Sequence, residues 1–235
     1  MSAVASNTLP EQQGLAARLA ADSYADARVG VAAGGRGSQT SPWMITATGR
    51  AFALLDAAPR DVDPRDLAEQ LSRINRFTGA PGVPYSVAQH CVGVANLVTP
   101  EAVPYALLHD AAEAYKGDET TPVQEAYDTL MFRLFGLERA FTRARVAFED
   151  HLAQAIHARF ALPWPPRPEI ALEVKHADLV MLATEFRDLL PVPARGSPAV
   201  APRHLPEPHV RRIKPWTWIR AADTYSTRLR QFGLV

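Results

Sequence analysis

The chain contains a single cysteine, no excess of charge of either sign and no apolar run long enough to cross a bilayer. Cys91 alone cannot form an intrachain disulfide, which suits a reducing compartment. The 25 lysine and arginine residues balance 25 aspartate and glutamate residues, so no overall basic field attracts a nucleic acid backbone. The first residues also lack the charged-then-apolar pattern of a secretory signal. These absences predict a cytoplasmic protein that binds neither membranes nor polymeric nucleic acid.

The length of 235 residues suits one domain preceded by an extension. Residues 1–41 are rich in alanine, serine and glycine, a composition that favours a flexible N-terminal extension with room for a short helix over 12–26. Residues 42–235 are expected to form the globular domain. At its start, the apolar spacing over 44–55 predicts a short strand or β-hairpin.

The remaining pattern predicts an all-α, mainly helical fold, because apolar residues recur at helical spacing through most of the domain. The predicted helices span 64–75, 86–98, 102–115, 122–160 with a break near Gly136, 168–190 and 211–232. Ser86 and Gln89 match the two ends of a capping box, which places His90 on the first turn of its helix. Pro168 suits the first position of its own helix.

A His-Asp pair, His109-Asp110, interrupts the otherwise apolar run that precedes Glu113. Adjacent imidazole and carboxylate groups can ligate one divalent ion. The dipeptide alone is weak evidence, because a histidine in a helix is more often only hydrogen-bonded. Glu113 lies four residues after His109, so in a continuous helix the two side chains share a face. The sequence therefore predicts a metal site with an acid/base group beside it.

The order of four candidate residues, His90, His109, Asp110 and Asp178, resembles the metal-binding pattern of the HD phosphohydrolase superfamily. Within that superfamily the chain looks most like the bacterial 5′-deoxynucleotidases and is similar to the related phage deoxyadenosine triphosphate hydrolases. Four segments match in order: Arg73–Phe77, Ser86–His90, Leu108–Glu113 and Gly117–Val123. The resemblance covers about residues 42–190.

The resemblance implies an HD-domain fold in which His90, His109, Asp110 and Asp178 bind one divalent ion, with positions open for water and a phosphate oxygen. The mixed histidine and carboxylate set admits Mn, Co, Mg, Fe, Ni or Zn. One position departs from the pattern, because Gln89 stands where the nucleotidases usually carry glutamate. This difference weakens the prediction of the substrate more than the prediction of the metal site.

The resemblance also assigns residues to the reaction and to the substrate. Glu113 and Asp118 match the carboxylates that the nucleotidases use near the attacking water. Arg76 matches the arginine that holds the substrate phosphate, and Phe77 stands where it could stack on a base or sugar. Simpler explanations stay open: helix-end charges for the two carboxylates, a surface position for Arg76 and ordinary packing for Phe77. Asp178 could likewise belong to a surface ion pair.

The expected function is that of a metal-dependent phosphohydrolase that acts on a small nucleotide and assembles as a homo-oligomer. The first candidate substrate is a deoxynucleoside 5′-monophosphate, and the alternative activity is that of a deoxynucleoside triphosphate triphosphohydrolase. A catalytically weak nucleotide sensor would be a function of another class. A cyclic dinucleotide phosphodiesterase ranks lowest, because the Gly-Tyr-Pro motif of that HD branch is missing.

Overall fold

The computed structural model describes residues 41–192 and 204–235. The flexible extension predicted for 1–41 and the short helix over 12–26 fall, apart from residue 41, outside the described residues. The described part is mainly helical with one short antiparallel β-hairpin near its start, which confirms the predicted fold class. No helix in these two described ranges is long and apolar enough to cross a membrane.

The described residues form two strands and eight α-helices. In chain order they are β1 Trp43–Ile45, β2 Ala51–Ala53, α1 Pro64–Arg73, α2 Val87–Ala95, α3 Val103–Leu108, α4 Glu113–Lys116, α5 Thr121–Phe135, α6 Ala140–Arg159, α7 Pro168–Asp188 and α8 Trp218–Gln231. Helices α1, α2 and α7 confirm three predicted helices. The predicted break is also confirmed, because Gly136 ends α5 with a φ of 67°, in the left-handed region that glycine adopts without strain.

The prediction of one continuous helix over 102–115 is wrong in its middle. Between α3 and α4 the chain makes tighter turns, in which the Glu113 N–H donates to the Asp110 carbonyl (3.0 Å). In a continuous helix the carbonyl of Ala106 would accept from the Asp110 N–H. It accepts instead from the ring of His109 (Nδ1 to O, 2.8 Å). The His-Asp pair therefore lies in a turn between two short helices.

The last helix begins later than the predicted 211–232, because α8 starts only at Trp218. Pro215 lacks an N–H and disfavours helical geometry in the residue before it, so the chain stays extended up to the helix. Helix α8 then packs against α1, α2 and α3. The hydroxyl of Tyr225 donates to the carbonyl of Leu107 (2.7 Å). The C-terminal segment thus shares the core of the preceding helices.

Helix α2 lies at the centre of that core and contacts α1, α3, α7 and α8. Nearly all of its residues are buried, including Cys91, whose free thiol packs as a small hydrophobe. A Cβ at Gly93 would come within 2.7 Å of the Met181 methyl group, so the end of this α7 side chain packs directly on the backbone of α2. His90, a polar residue on α2, is therefore enclosed in the core.

His157 in α6 gives the fold a pH dependence unrelated to the candidate site. Its ring packs on Trp164 (centroids 4.3 Å apart), its Nδ1 donates to the Ala153 carbonyl, and its buried Nε2 has no partner among the described residues. Burial lowers the pKa of His157. The unfolded chain therefore takes up a proton below pH about 6.5 that the folded state resists, so the unfolding free energy should fall as the pH drops below that value.

We expect His157→Gln to reduce this loss of stability, because glutamine does not titrate. Urea unfolding of both proteins at pH 7.5 and pH 5.5 measures the effect, and the difference between them removes the contribution of other titrating groups. An identical decrease in both proteins would contradict the assignment to His157.

Candidate metal centre

The four residues predicted as metal ligands converge from three parts of the fold: His90 from α2, His109 and Asp110 from the turn after α3, and Asp178 from α7. The Nε2 atoms of the two histidines are 3.3 Å apart. Asp110 Oδ2 lies 3.2 Å from His109 Nε2 and 3.6 Å from His90 Nε2. The ligand atoms of His90, His109 and Asp110 all lie within 4.8 Å of one another, so this group can hold a metal ion.

Asp178 borders the same group through His90. Its Oδ1 is 3.3 Å from His90 Nε2, while its Oδ2 accepts from Lys175 Nζ at 2.8 Å. The lysine side chain is 66% exposed, whereas that of Asp178 is mostly buried. The surface ion pair considered from the sequence therefore exists, but it uses one carboxylate oxygen and leaves the other facing the cluster.

Both histidine rings are oriented by acceptors behind them. His90 Nδ1 lies 2.6 Å from Glu185 Oε1, and His109 Nδ1 lies 2.8 Å from the Ala106 carbonyl. Because these partners only accept, each Nδ1 carries a proton and each neutral ring presents its Nε2 lone pair to the cluster. Lone pairs of nitrogen and carboxylate oxygen then face one another, and they repel unless a cation or an extra proton lies between them. This donor set fits a divalent ion.

The charges of the cluster also favour a cation or an extra proton between these groups. Burial alone would lower the pKa of His109, but the carboxylate of Asp110 raises it well above its ordinary value. Burial would raise the pKa of Asp110 and of Asp178, yet the neighbouring histidines hold both below the ordinary range. Without a metal, the carboxylates stay ionised and retain a proton on the imidazoles. A metal ion that binds here must displace that proton.

Glu185 is part of this centre, and the sequence reasoning missed it. Its side chain is fully buried on α7, with Oε1 at His90 and Oε2 3.1 Å from Arg76 Nη2. The positive charges of His90 and Arg76 keep the pKa of Glu185 below its usual value, although burial opposes them. The available signal was spacing, because Glu185 follows Asp178 by seven residues, two turns along the same helix face.

Arg76 lies at the edge of the cluster with a side chain only 11% exposed, so it is not the surface arginine considered as an alternative. Glu185 binds one edge of its guanidinium, and Nη1 lies 3.5 Å from Asp110 Oδ2. Phe77, the next residue, has a φ of 56° in the left-handed region, where a non-glycine residue is strained. Its half-buried ring lies 5.4 Å from the Arg76 guanidinium and packs edge-on against Phe186.

Glu113 and Asp118 lie close enough to the cluster for its charges to shift their titration. Burial, and then the negative charges of Asp110 and Asp118, raise the pKa of Glu113 to about 9. Glu113 Oε2 is buried and has no hydrogen-bond partner within the described residues. Burial also raises the pKa of Asp118. Gly117 turns the chain between them with a φ of 84° and a ψ of 165°, a conformation that only glycine readily adopts.

Gln89 forms only half of the predicted capping box. Ser86 accepts from the Gln89 N–H (3.2 Å), as expected, but the Gln89 side chain does not return to Ser86. Its Nε2 donates to the Lys214 carbonyl (2.9 Å) and its Oε1 accepts from the Trp216 N–H (2.8 Å). The reciprocal half of the box was therefore a wrong prediction, because the amide instead binds the segment before α8. An ionised glutamate could not donate to that carbonyl.

The fold and this cluster define a mainly helical protein with a buried His/Asp group that can hold a metal ion. No family model matches the chain. It is 36% identical over 147 residues to the uncharacterized protein YfdR of Escherichia coli K12, covering 63% of this chain and 72% of that protein. It is 32% identical over 199 aligned residues to the uncharacterized protein RCAP_rcc00048 of Rhodobacter capsulatus, covering 77% of this chain and 92% of that protein. The chain belongs to the family of these bacterial proteins.

Proposed function

We propose that this protein is an HD-domain, metal-dependent phosphohydrolase that acts on a small deoxynucleotide, with a deoxynucleoside 5′-monophosphate as the first candidate substrate. The observation that carries the proposal is the pair of opposed Nε2 atoms of His90 and His109, 3.3 Å apart beside Asp110, with both Nδ1 atoms already bonded elsewhere. Two histidines with only a structural role would not need to direct both Nε2 atoms towards each other. The order of the converging residues along the chain, with Asp178 last, supports the HD-type assignment.

In this proposal His90, His109, Asp110 and Asp178 hold one divalent ion, and the mixed nitrogen and oxygen ligands leave Mn, Co, Fe, Ni, Mg and Zn as candidates. When bound, such an ion supplies Lewis-acid stabilisation of a phosphoryl group and activation of water. The ring nitrogens of the two histidines are held in place by their rear acceptors, so the ligand geometry exists before the ion arrives.

Glu113 is the proposed acid/base group. With a pKa of about 9 it holds a proton at neutral pH in the metal-free protein. A nearby dication favours its ionised form and brings the pKa towards neutrality, where a carboxyl group can both accept and donate a proton efficiently. The buried Oε2 atom of Glu113, which has no partner in the described part of the chain, is available to a water molecule or a phosphate oxygen. Asp118 supports this group or shares its role.

Arg76 is the proposed phosphate ligand. Glu185 binds one edge of the guanidinium, whereas the 3.5 Å separation from Asp110 is long for a hydrogen bond, so Nη1 can donate to a phosphate oxygen. The strained backbone at Phe77 holds an aromatic ring directly beside this arginine, where a base or sugar can pack. Strain of this kind persists at ligand sites when the surrounding structure enforces it.

The test is release of phosphate or tripolyphosphate from a panel of deoxy- and ribonucleoside mono- and triphosphates, with Mn, Co, Mg and Zn supplied separately. We expect Glu113→Gln to reduce kcat by about 10²–10⁴-fold while it retains the metal, because it removes proton transfer but no ligand. Glu101→Gln is the matched control, since Glu101 is an exposed carboxylate that, among the residues the structure describes, pairs with Arg167 alone.

Each outcome of this test distinguishes one function. Phosphate release from monophosphates, lost in Glu113→Gln, supports the nucleotidase. Tripolyphosphate release assigns the triphosphohydrolase instead. Metal binding without turnover of any nucleotide would overturn the enzyme proposal in favour of a nucleotide sensor.

A further inference from the structure

The segment that leads into α8 concentrates positive charge along one cavity. Residues 209–220 contain no aspartate or glutamate, although the whole chain has 25 charged residues of each sign. Their four cationic side chains all line a cavity with a volume of about 880 Å³: Arg211, Arg212, Lys214 and Arg220. Among the residues that the structure describes, no carboxylate lines it. We refer to this cleft as the basic cavity, because its charged lining has one sign.

The basic cavity lies between α2, α7 and this segment. Gln89, Gly93 and Asn96 line it from one face of α2 and its C-terminal end, and Met181 and Thr184 line it from α7. The residues proposed for the metal ion, for proton transfer and for the substrate phosphate are not among its lining residues. Cavities of about 300–1,000 Å³ commonly hold small molecules. The basic cavity therefore has the size of a ligand site of its own.

Hydrogen bonds from both helices hold the backbone of the segment against the cavity. The His209 N–H donates to Thr184 Oγ1 on α7 (2.8 Å). On α2, the Gln89 amide donates to the Lys214 carbonyl and accepts from the Trp216 N–H. These bonds use main-chain atoms of the segment, so they place cationic side chains at the cavity without neutralising them.

The protein compensates only part of this charge. Arg212 Nη1 lies 3.2 Å from Asp188 Oδ1, which pairs one of the four cations. Arg211 and Lys214 are exposed and form no ion pair in the described part of the chain. Cations that are gathered along one cleft repel one another and attract an anion. Arg211 and Lys214 are therefore the side chains best placed to bind one.

The lining favours an anion that carries phosphate. A guanidinium group matches the geometry of phosphate oxygens, and an ammonium group adds a compact positive charge. The ring of Trp216 lies 5.0 Å from the Arg220 guanidinium, and Met181 and Ile213 add apolar surface to the wall. This surface suits the organic part of a ligand.

Gln89 also contributes to the charge of the basic cavity. It stands where the nucleotidases usually carry glutamate, and an ionised glutamate would add negative charge to the wall. The neutral amide leaves the attraction for an anion undiminished.

We propose that the basic cavity is a second ligand site that binds a small phosphate-bearing anion, with Arg211 and Lys214 on the phosphate oxygens and Trp216 beside the organic part. His90 and Glu185 directly follow Gln89 and Thr184 in the chain, so the two sites lie on the same two helices but use different residues. The proposal does not depend on the phosphohydrolase assignment.

Calorimetric titration of the metal-stripped full chain with inorganic triphosphate tests the site. We expect Arg211→Gln/Lys214→Gln to weaken binding at least about tenfold, because it removes two charge-assisted contacts. Arg133→Gln/Arg143→Gln is the matched control, since it removes the same charge from exposed positions outside the basic cavity. Both double variants should keep the wild-type circular dichroism and the wild-type affinity for Mn, which shows that the fold and the metal centre are intact.

A parallel titration with adenosine triphosphate distinguishes two sources of the phosphate. Tighter binding than that of inorganic triphosphate would show that the organic part contacts the cavity, and Trp216→Ala should then remove the difference. Equal affinity would identify the phosphate chain alone as the ligand.

Three results would overturn the proposal. The wild type could fail to bind either triphosphate at millimolar concentration. The two double variants could weaken binding equally, which would reduce the effect to the overall charge of the protein. Binding of a single-stranded oligonucleotide without binding of either triphosphate would assign the basic segment to a polymer instead.

Discussion

The Asp110→Ala variant is expected to bind divalent metal at least about 100-fold more weakly than the wild type and to lose any turnover that depends on the metal. Asp110 is the carboxylate of the compact ligand group and lies near both histidine Nε2 atoms. Removing a residue that only orients a metal ligand weakens metal affinity roughly 10–100-fold, and removing a ligand itself should weaken it more. Calorimetric titration of metal-stripped protein with Mn, Co or Zn measures this directly.

A matched control for this experiment is Asp223→Ala, which removes an exposed carboxylate from α8. It should leave the affinity unchanged. Equal affinities of the wild type and Asp110→Ala would mean that the ion binds elsewhere, and the proposed centre would then be wrong.

The same titration should reveal proton release. The raised pKa of His109 keeps a proton on the metal-free cluster at neutral pH, and the ion can bind only when the imidazole is neutral. The affinity should therefore strengthen as the pH rises, and the measured enthalpy should depend on the ionisation enthalpy of the buffer. Asp110→Ala removes the charge that raises this pKa, so any residual binding should release fewer protons.

The sequence predicted the scaffold of the site where local signals were strong. Ser86 is a typical N-cap residue, so the sequence predicted the start of α2 correctly and placed His90 on its first turn. That His90, His109 and Asp178 would meet was not deducible from spacing, because they lie on separate elements. The resemblance to the HD superfamily supplied that expectation, and the structure brings them together.

Apart from the late start of α8, which Pro215 causes locally, the errors share one physical cause: a contact that the local pattern does not predict overrides that pattern. The helical pattern through His109 is continuous, but the Ala106 carbonyl binds the ring of His109 where a continuous helix would bind the Asp110 N–H. Gln89 matches a capping box by sequence, but its amide binds backbone more than a hundred residues away. A glutamate in the last turn of α7 is most simply a solvated charge, so the seven-residue spacing from Asp178 was the one sign of the buried role of Glu185.

Glu185 nevertheless has the largest expected effect on stability. We expect Glu185→Ala to reduce the unfolding free energy of the metal-free protein by about 3–5 kcal/mol, because it leaves the buried guanidinium of Arg76 without its main partner. It also removes the acceptor of His90 Nδ1, so metal affinity should fall roughly 10–100-fold. Urea unfolding in the presence of a chelator measures the first effect, and calorimetric titration with Mn measures the second.

The double variant Arg76→Leu/Glu185→Leu separates the two roles of Glu185. Replacing both members of a buried ion pair by apolar residues is often close to neutral for stability, so most of the lost unfolding free energy should return. The metal affinity should stay low, because the ring of His90 still lacks the acceptor that orients it. If Glu185→Ala unfolds at the wild-type urea concentration, the Arg76–Glu185 contact does not stabilise the fold. If the double variant recovers both stability and affinity, Glu185 does not position the histidine.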